Sequence, residues 1–209
     1  MTTDTATAAD QIVAAARSLF SRGLTHGSTG NLSVRTADGI LITPTGSSLG
    51  TVTAADLSLI DVSGAYLDGP KPSKEAFLHA AVLRARPGDH AVAHTHSTHA
   101  AAVSCMDGLD PDDALPPLTA YYAMRIGRLP LLPYHAPGDA ALEALAEATA
   151  REGHAMLLRN HGPVVSGRTL AAAVDAVEEL EETAKLHLLL RGTATRPLTA
   201  AQAAALRPS

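Results

Sequence analysis

The chain has no tryptophan, two phenylalanines and one cysteine in 209 residues. A lone thiol, Cys105, cannot form an internal disulfide, so an oxidising compartment would add nothing to this fold. Aromatic residues make up 3% of the sequence, which leaves Ala, Leu and Val to build the core. Basic residues are not in excess: 16 Lys and Arg stand against 21 Asp and Glu, for a net charge of -5. The two signs are interspersed. That balance disfavours nucleic acid as a main partner, since phosphate backbones are met by basic surfaces. A small anionic substrate, needing only a few local donors, is still compatible. No apolar run approaches the roughly 18–20 residues that span a bilayer. The opening residues, Met1 to Thr5, lack the basic and apolar regions of a secretory leader. The expectation is a cytoplasmic protein with no membrane partner.

What is present is a globular pattern, 46% hydrophobic and 18% charged. Residues 7–22 carry Ile12, Val13, Ala16, Leu19 and Phe20 at helical spacing. Residues 31–35 and 40–43 read as strands joined by the turn Ala37-Asp38-Gly39. A further strand is expected at 57–62. Pro72-Ser73 opens a helix with Ser73 as N-cap and Glu75 in its first turn, where the helix dipole favours a carboxylate. Strands follow at 90–96, 129–132 and 154–160, with a short one at 164–166. Helices are expected at 98–105, 139–150 and 169–190, and residues 107–117 read as loop. Residues 191–209 are Ala-rich, and a loose C-terminal tail is expected there. There is no repeat and no long linker. The reading is one α/β domain over residues 1–209 with a mostly antiparallel sheet.

The local chemistry starts at Ala93-His94-Thr95-His96. Alternate residues of a strand point the same way, so both imidazoles face one side and can grip one cation. A structural reading of the pair stays open, because ten histidines in the chain weaken each single assignment. A third histidine ends another strand in Arg159-Asn160-His161-Gly162-Pro163. It is placed either to complete a three-nitrogen site with an open position or simply to cap its turn. Glu75 gains a functional reading only if the fold brings it to these histidines. Two loops rich in Gly, Ser and Thr, Gly27-Ser28-Thr29-Gly30-Asn31 and Thr43-Pro44-Thr45-Gly46-Ser47-Ser48, offer backbone N–H nests for phosphate or serve as plain turns. Neither matches the P-loop or the dinucleotide fingerprint. The other histidines, His26, His79, His90, His99, His135, His154 and His187, read as packing or surface residues.

Taken together, GSTGNLSVR at 27–35, ITPTG at 42–46, PSKE at 72–75, AHTHS at 93–97 and NHGP at 160–163 resemble the class II aldolase/adducin family across nearly the whole chain. The resemblance implies a single α/β/α layered domain with a mostly antiparallel central sheet, assembled as a homotetramer with sites between subunits. It implies Zn²⁺ on His94, His96 and His161. Glu75 is the acid/base residue by this likeness, and a ligand of the resting metal. Histidine nitrogen also suits Mn²⁺ and Co²⁺. It implies a phosphate held by Gly30 and Asn31, by Thr45 and Gly46, and by Ser73 and Lys74, with Ser28 beside them. Lys74 departs from the sugar-phosphate aldolases, which carry a second serine there.

Within the family, PTGSSLG at 44–50, KPSKE at 71–75, PLTAYYAMRIG at 117–127, PYHAPGD at 133–139 and EELEETAKL at 178–186 are similar to members that remove CO2 from a 3-oxo-tetronate 4-phosphate. The product there is dihydroxyacetone phosphate, formed through a metal-stabilised enediolate. By this likeness Tyr121 is the proton donor to a neighbouring subunit's site, with Tyr122 adjacent to it. From the residues alone, a tyrosine pair in a proline-rich loop is more often a packing feature. The alternatives are a sugar-phosphate retro-aldolase of the fuculose 1-phosphate kind and a non-catalytic adducin-like binding module. The aldolases use a tyrosine near the C-terminus, and no tyrosine follows Tyr134 here. The adducin-like module is expected to have lost metal ligands, and this chain keeps them all.

Overall fold

A computed structural model describes residues 4–206. Its centre is an eight-stranded sheet: β1 (Asn31–Arg35), β2 (Ile40–Ile42), β3 (Ser58–Ile60), β4 (Tyr66–Asp68), β5 (Ala91–His94), β6 (Leu131–Leu132), β7 (Ala155–Leu158) and β8 (Gly162–Gly167). The spatial order is β4-β3-β2-β1-β5-β8-β7-β6. All neighbours are antiparallel except β6 and β7, which run parallel.

Seven helices cover the two faces: α1 (Thr5–Ser21), α2 (Ala76–Ala85), α3 (Thr98–Ser104), α4 (Ala120–Arg125), α5 (Leu142–Glu152), α6 (Leu170–Leu189) and α7 (Ala200–Leu206). Strand alternation divides the core in two. Leu32 and Val34 of β1, Ala91 and Ala93 of β5, and Ala155 and Leu157 of β7 face α1, α3 and α6. Val92, Met156, Leu158 and Val164 face α2 and α5 instead. The result is a three-layer α/β/α domain. On α6 the buried residues Leu170, Ala173, Val174, Val177, Leu180 and Ala184 recur at helical spacing, and Thr169 caps its start by accepting from Ala172 N–H at 3.1 Å.

The same alternation places polar groups. Asn31 and Ser33 of β1 lie on the α2 side, and Asn31 pairs in register with His94 at the end of β5. Helix α2 begins at Ala76, two residues later than Ser73 as N-cap would place it. Glu75 therefore occupies the cap position itself, without a capping hydrogen bond. Ser73 accepts from the Glu75 N–H at 3.2 Å and holds the turn before it.

Three elements differ from the sequence reading. The short edge strand β4 is not expected from the sequence; its residues are all exposed, so no apolar alternation marks them. Tyr121 and Tyr122 stand on helix α4, not in a loop, with Thr119 as N-cap. In the Ala-rich C-terminal stretch, where a loose helix or a frayed tail is expected, residues 200–206 form α7, and the Leu198 N–H bonds to the Pro117 carbonyl at 2.9 Å.

Candidate metal centre and active site

The β7–β8 hairpin is three residues long, Arg159 to His161, and turns through Asn160 with φ of 55°. It carries His161 to the end of β5, because β8 pairs with β5 through Val164 opposite His94. Close approach needs Gly162: a Cβ there would collide with the Thr95 carbonyl. On the other side Gly30, at φ of +78°, lets the 27–31 loop lie on β5, where a Cβ would meet the His94 carbonyl at 2.9 Å.

β5 ends at His94, and the chain stays extended through Thr95 and His96 before α3 begins. The three Nε2 atoms converge: His94 to His96 3.0 Å, His96 to His161 3.0 Å, His94 to His161 3.3 Å. Glu75 closes the fourth side, with one carboxylate oxygen 3.4 Å from His94 Nε2 and the other 3.4 Å from His161 Nε2.

Which nitrogen faces inward is fixed for His94. Its Nδ1 lies 2.8 Å from the Pro163 carbonyl, which only accepts, so Nδ1 carries a hydrogen and Nε2 is the nitrogen turned toward His96 and His161. Burial, aided by the neighbouring rings, lowers His96 to about 3 and His161 to about 4, so both imidazoles are neutral. Burial opposes a charge on Glu75, but attraction to His94 and His161 in their protonated forms, together with the Asn31 amide, outweighs it and holds the carboxyl well below the usual range. Three ring nitrogens within 3.3 Å of one another, with a carboxylate 3.4 Å from two of them, form a donor set for one cation. Zn–N bonds of about 2.0–2.1 Å would set tetrahedral nitrogens about 3.3 Å apart, close to the spacings here. These residues fit a divalent metal, and His94, His96 and His161 form a cluster able to bind one.

Above the cluster opens a cleft of about 250 Å³. It is lined by Ser28, Thr29, Gly30, Asn31, Pro44, Thr45, Gly46, Ser73, Lys74, Glu75, His96, Pro137 and His161. Every residue expected to hold phosphate therefore lines the same cleft as Glu75, His96 and His161. Tyr121 is not part of this cleft; it stands 61% exposed on α4, its ring under the Arg125 guanidinium at 6.0 Å. Tyr122 is fully buried, with its hydroxyl 3.5 Å from the Leu115 carbonyl, and is a core residue.

Two contributors escape the sequence reading. Pro137 lines the cleft from the 133–139 loop, whose Gly138 lies against Lys74. His79 is fully buried beside Asn31 and Ser33, and burial lowers it to about 3. Its spacing four residues after Glu75 puts it on the same helix face, which is the available signal. His99, by contrast, does not reach the cluster; its ring and N–H bind Glu181 at 2.8 and 3.0 Å.

The family described as "Class II Aldolase and Adducin N-terminal domain" matches residues 10–188. The chain is 49% identical over 192 residues to the 3-oxo-tetronate 4-phosphate decarboxylase of Pectobacterium atrosepticum, covering 91% of this chain and 88% of that one. It is 48% identical over 184 residues to the enzyme of the same name from Haemophilus influenzae, covering 88% of each. A crystal structure of YgbL from Klebsiella pneumoniae superposes with a TM-score of 0.95 at 42% identity, over 98% of this chain and all of that one (100%). Five separate motifs, one fold and one cluster of histidines agree, and the chain belongs to the class II aldolase and adducin family.

Proposed function

We propose that this chain is a divalent-metal-dependent carboxy-lyase that converts a 3-oxo-tetronate 4-phosphate to dihydroxyacetone phosphate and CO2. The observation that carries the reading is the meeting of three Nε2 atoms and the Glu75 carboxylate beneath a cleft walled by Gly, Ser, Thr and Lys. Relatives at 48% and 49% identity bear that activity in their names. His94, His96 and His161, with Glu75, hold the metal, and Zn²⁺ is the ion proposed. When bound, the cation supplies Lewis-acid stabilisation of the negative charge that develops on the substrate's oxygens.

The bond between C1 and C2 breaks, CO2 departs, and the electron pair left on C2 takes up a proton. Ser28, Gly30, Asn31, Thr45, Gly46, Ser73 and Lys74 hold the phosphate within the cleft, which orients C2 toward the histidines. Lys74 adds a positive charge toward a doubly anionic substrate. Glu75, kept ionised, is the acid/base group beside the reacting carbons. Tyr121 protonates C2 in the site of a neighbouring copy of a homotetramer with sites between subunits; it is exposed and does not line its own cleft, as that role requires. The setting proposed is cytoplasmic. Among the described residues no helix is long and apolar enough to cross a membrane.

The test is to supply both 3-oxo-tetronate 4-phosphate isomers and fuculose 1-phosphate, with and without a chelator. CO2 release from one tetronate, abolished by the chelator and restored by Zn²⁺, supports the reading. Aldehyde release from the fuculose ester with no CO2 from either tetronate makes the chain an aldolase instead.

A further inference from the structure

The buried imidazole of His79 sits in an unbroken line of hydrogen bonds that ends on Glu75. Ser33 Oγ lies 2.7 Å from His79 Nδ1, His79 Nε2 lies 2.5 Å from Asn31 Oδ1, and Asn31 Nδ2 lies 2.9 Å from Glu75 Oε2. All four side chains are buried on the α2 side of the sheet. The direction of every bond follows from the last one. An ionised carboxylate only accepts, so Asn31 must offer it the NH2 group, which leaves Asn31 Oδ1 facing His79. A carbonyl oxygen also only accepts, so His79 Nε2 must carry the hydrogen. In a neutral imidazole the other nitrogen is then an acceptor, and Ser33 donates to Nδ1.

We infer that His79 is a positioning residue for the site: by donating from Nε2 it locks the Asn31 amide in one orientation and thereby aims Glu75. This deepens the reading of Glu75 as ligand and acid/base group, and rests on it. The line does not conduct protons, because an amide cannot pass one from oxygen to nitrogen without leaving its stable form. His79 is therefore not a general acid or base. Its contribution is orientation: without its N–H, the Asn31 amide can turn its oxygen toward the Glu75 carboxylate, replacing an attraction by a repulsion. Asn31 also lines the cleft, so one imidazole braces both the carboxylate at the cluster and the wall expected to meet phosphate.

The first test needs no activity. In the ¹⁵N NMR spectrum of the histidine rings of the metal-free protein at neutral pH, His79 is expected as the Nε2–H form, identified by loss of its signals in His79→Gln. The Nδ1–H form or an imidazolium at His79 would overturn the inference. The second test compares His79→Gln, whose amide can still donate to Asn31, with His79→Leu, which fills space without donating. Loss of such supporting hydrogen bonds typically costs about 10–100-fold in metal affinity or activity. His79→Leu is expected to bind Zn²⁺ about 10–100-fold more weakly and to lose kcat by a similar factor, with His79→Gln staying within about fivefold of wild type. Equal damage in both variants, or none in either, would show mere packing. If His79→Leu fails to fold, the ring form in the wild-type protein decides. If that form and the Zn²⁺ affinities come out as expected but no tetronate loses CO2, the carboxy-lyase reading fails alone.

Discussion

His94 and Pro163 are joined by a 2.8 Å hydrogen bond from the ring Nδ1 to the main-chain carbonyl, across two strands that pair side by side. The bond makes the hairpin that carries His161 also responsible for the ring orientation of His94. The geometry of one ligand thus depends on the backbone that positions another, and the cluster should respond to perturbation as a unit.

Removing one imidazole should remove most of the metal. His96→Ala is expected to lower Zn²⁺ affinity by more than about a hundredfold, beyond the usual cost of losing a supporting hydrogen bond. Because a ligand that binds only the folded state stabilises it, Zn²⁺ at about 100 times its Kd should add about 2.7 kcal/mol to the wild type. A thermal melt with added Zn²⁺ or chelator reads this. The Tm of His96→Ala should be indifferent to both, and an equal Zn²⁺-dependent rise in both proteins would place the binding site elsewhere.

Gly162→Ala should destabilise the protein although no bond is removed. The new methyl meets the Thr95 carbonyl, and both belong to paired backbone with little room to give. Overpacking of this kind costs about 1–3 kcal/mol. Urea unfolding measures it, and the same variant should bind Zn²⁺ less tightly because the hairpin is displaced from β5.

Lys74→Ala should act on binding and spare the chemistry. With the phosphate anchor weakened in ground and transition states alike, KM rises while kcat holds. Removing a charge-assisted hydrogen bond to the phosphate corresponds to about tenfold or more in KM. Steady-state kinetics on the tetronate substrate decides, and a fall in kcat at constant KM would refute the assignment.

Glu181 gives a pH-dependent stability. From α6 its carboxylate accepts from the N–H groups of His99 and Ala100, at 3.0 and 2.8 Å, and so caps α3 directly after the ligand segment. Burial raises its pKa, but those backbone bonds and the His99 ring outweigh burial, and the net shift is downward. A depressed carboxylate contributes stability that is complete above its unfolded pKa of about 4.3 and fades as pH drops through the folded value. Glu181→Gln should therefore cost about 1–2 kcal/mol at pH 7. The gap to wild type should narrow below about pH 4, as seen by urea titrations at several pH values.

Much of the site is legible in the sequence because it is written in short contiguous runs. AHTHS and NHGP each hold ligands within a strand's reach, and the Gly-rich loops announce turns by composition. Strand β1 is legible to the residue, since Leu32 and Val34 alternate with Asn31 and Ser33. β4 is not, because an exposed edge strand has no buried face to impose a period. α4 is hidden by Pro116 and Pro117 just before its cap, which read as loop. For His79 the spacing from Glu75 is the one local mark, and it does not reveal the role, which depends on Asn31, 48 residues away in sequence and adjacent only through the packing of α2 on β1.

Strand order also governs when the site can form. His94 and His96 lie near the middle of the chain, whereas His161 arrives only with the turn before β8, which then inserts beside β5. A ribosome that has delivered the first five strands has made a half-sheet with an open flank and two of the three imidazoles of the cluster. The full three-nitrogen cluster therefore exists only after His161 has been made, and a cation held there would act as a late clasp between the two halves.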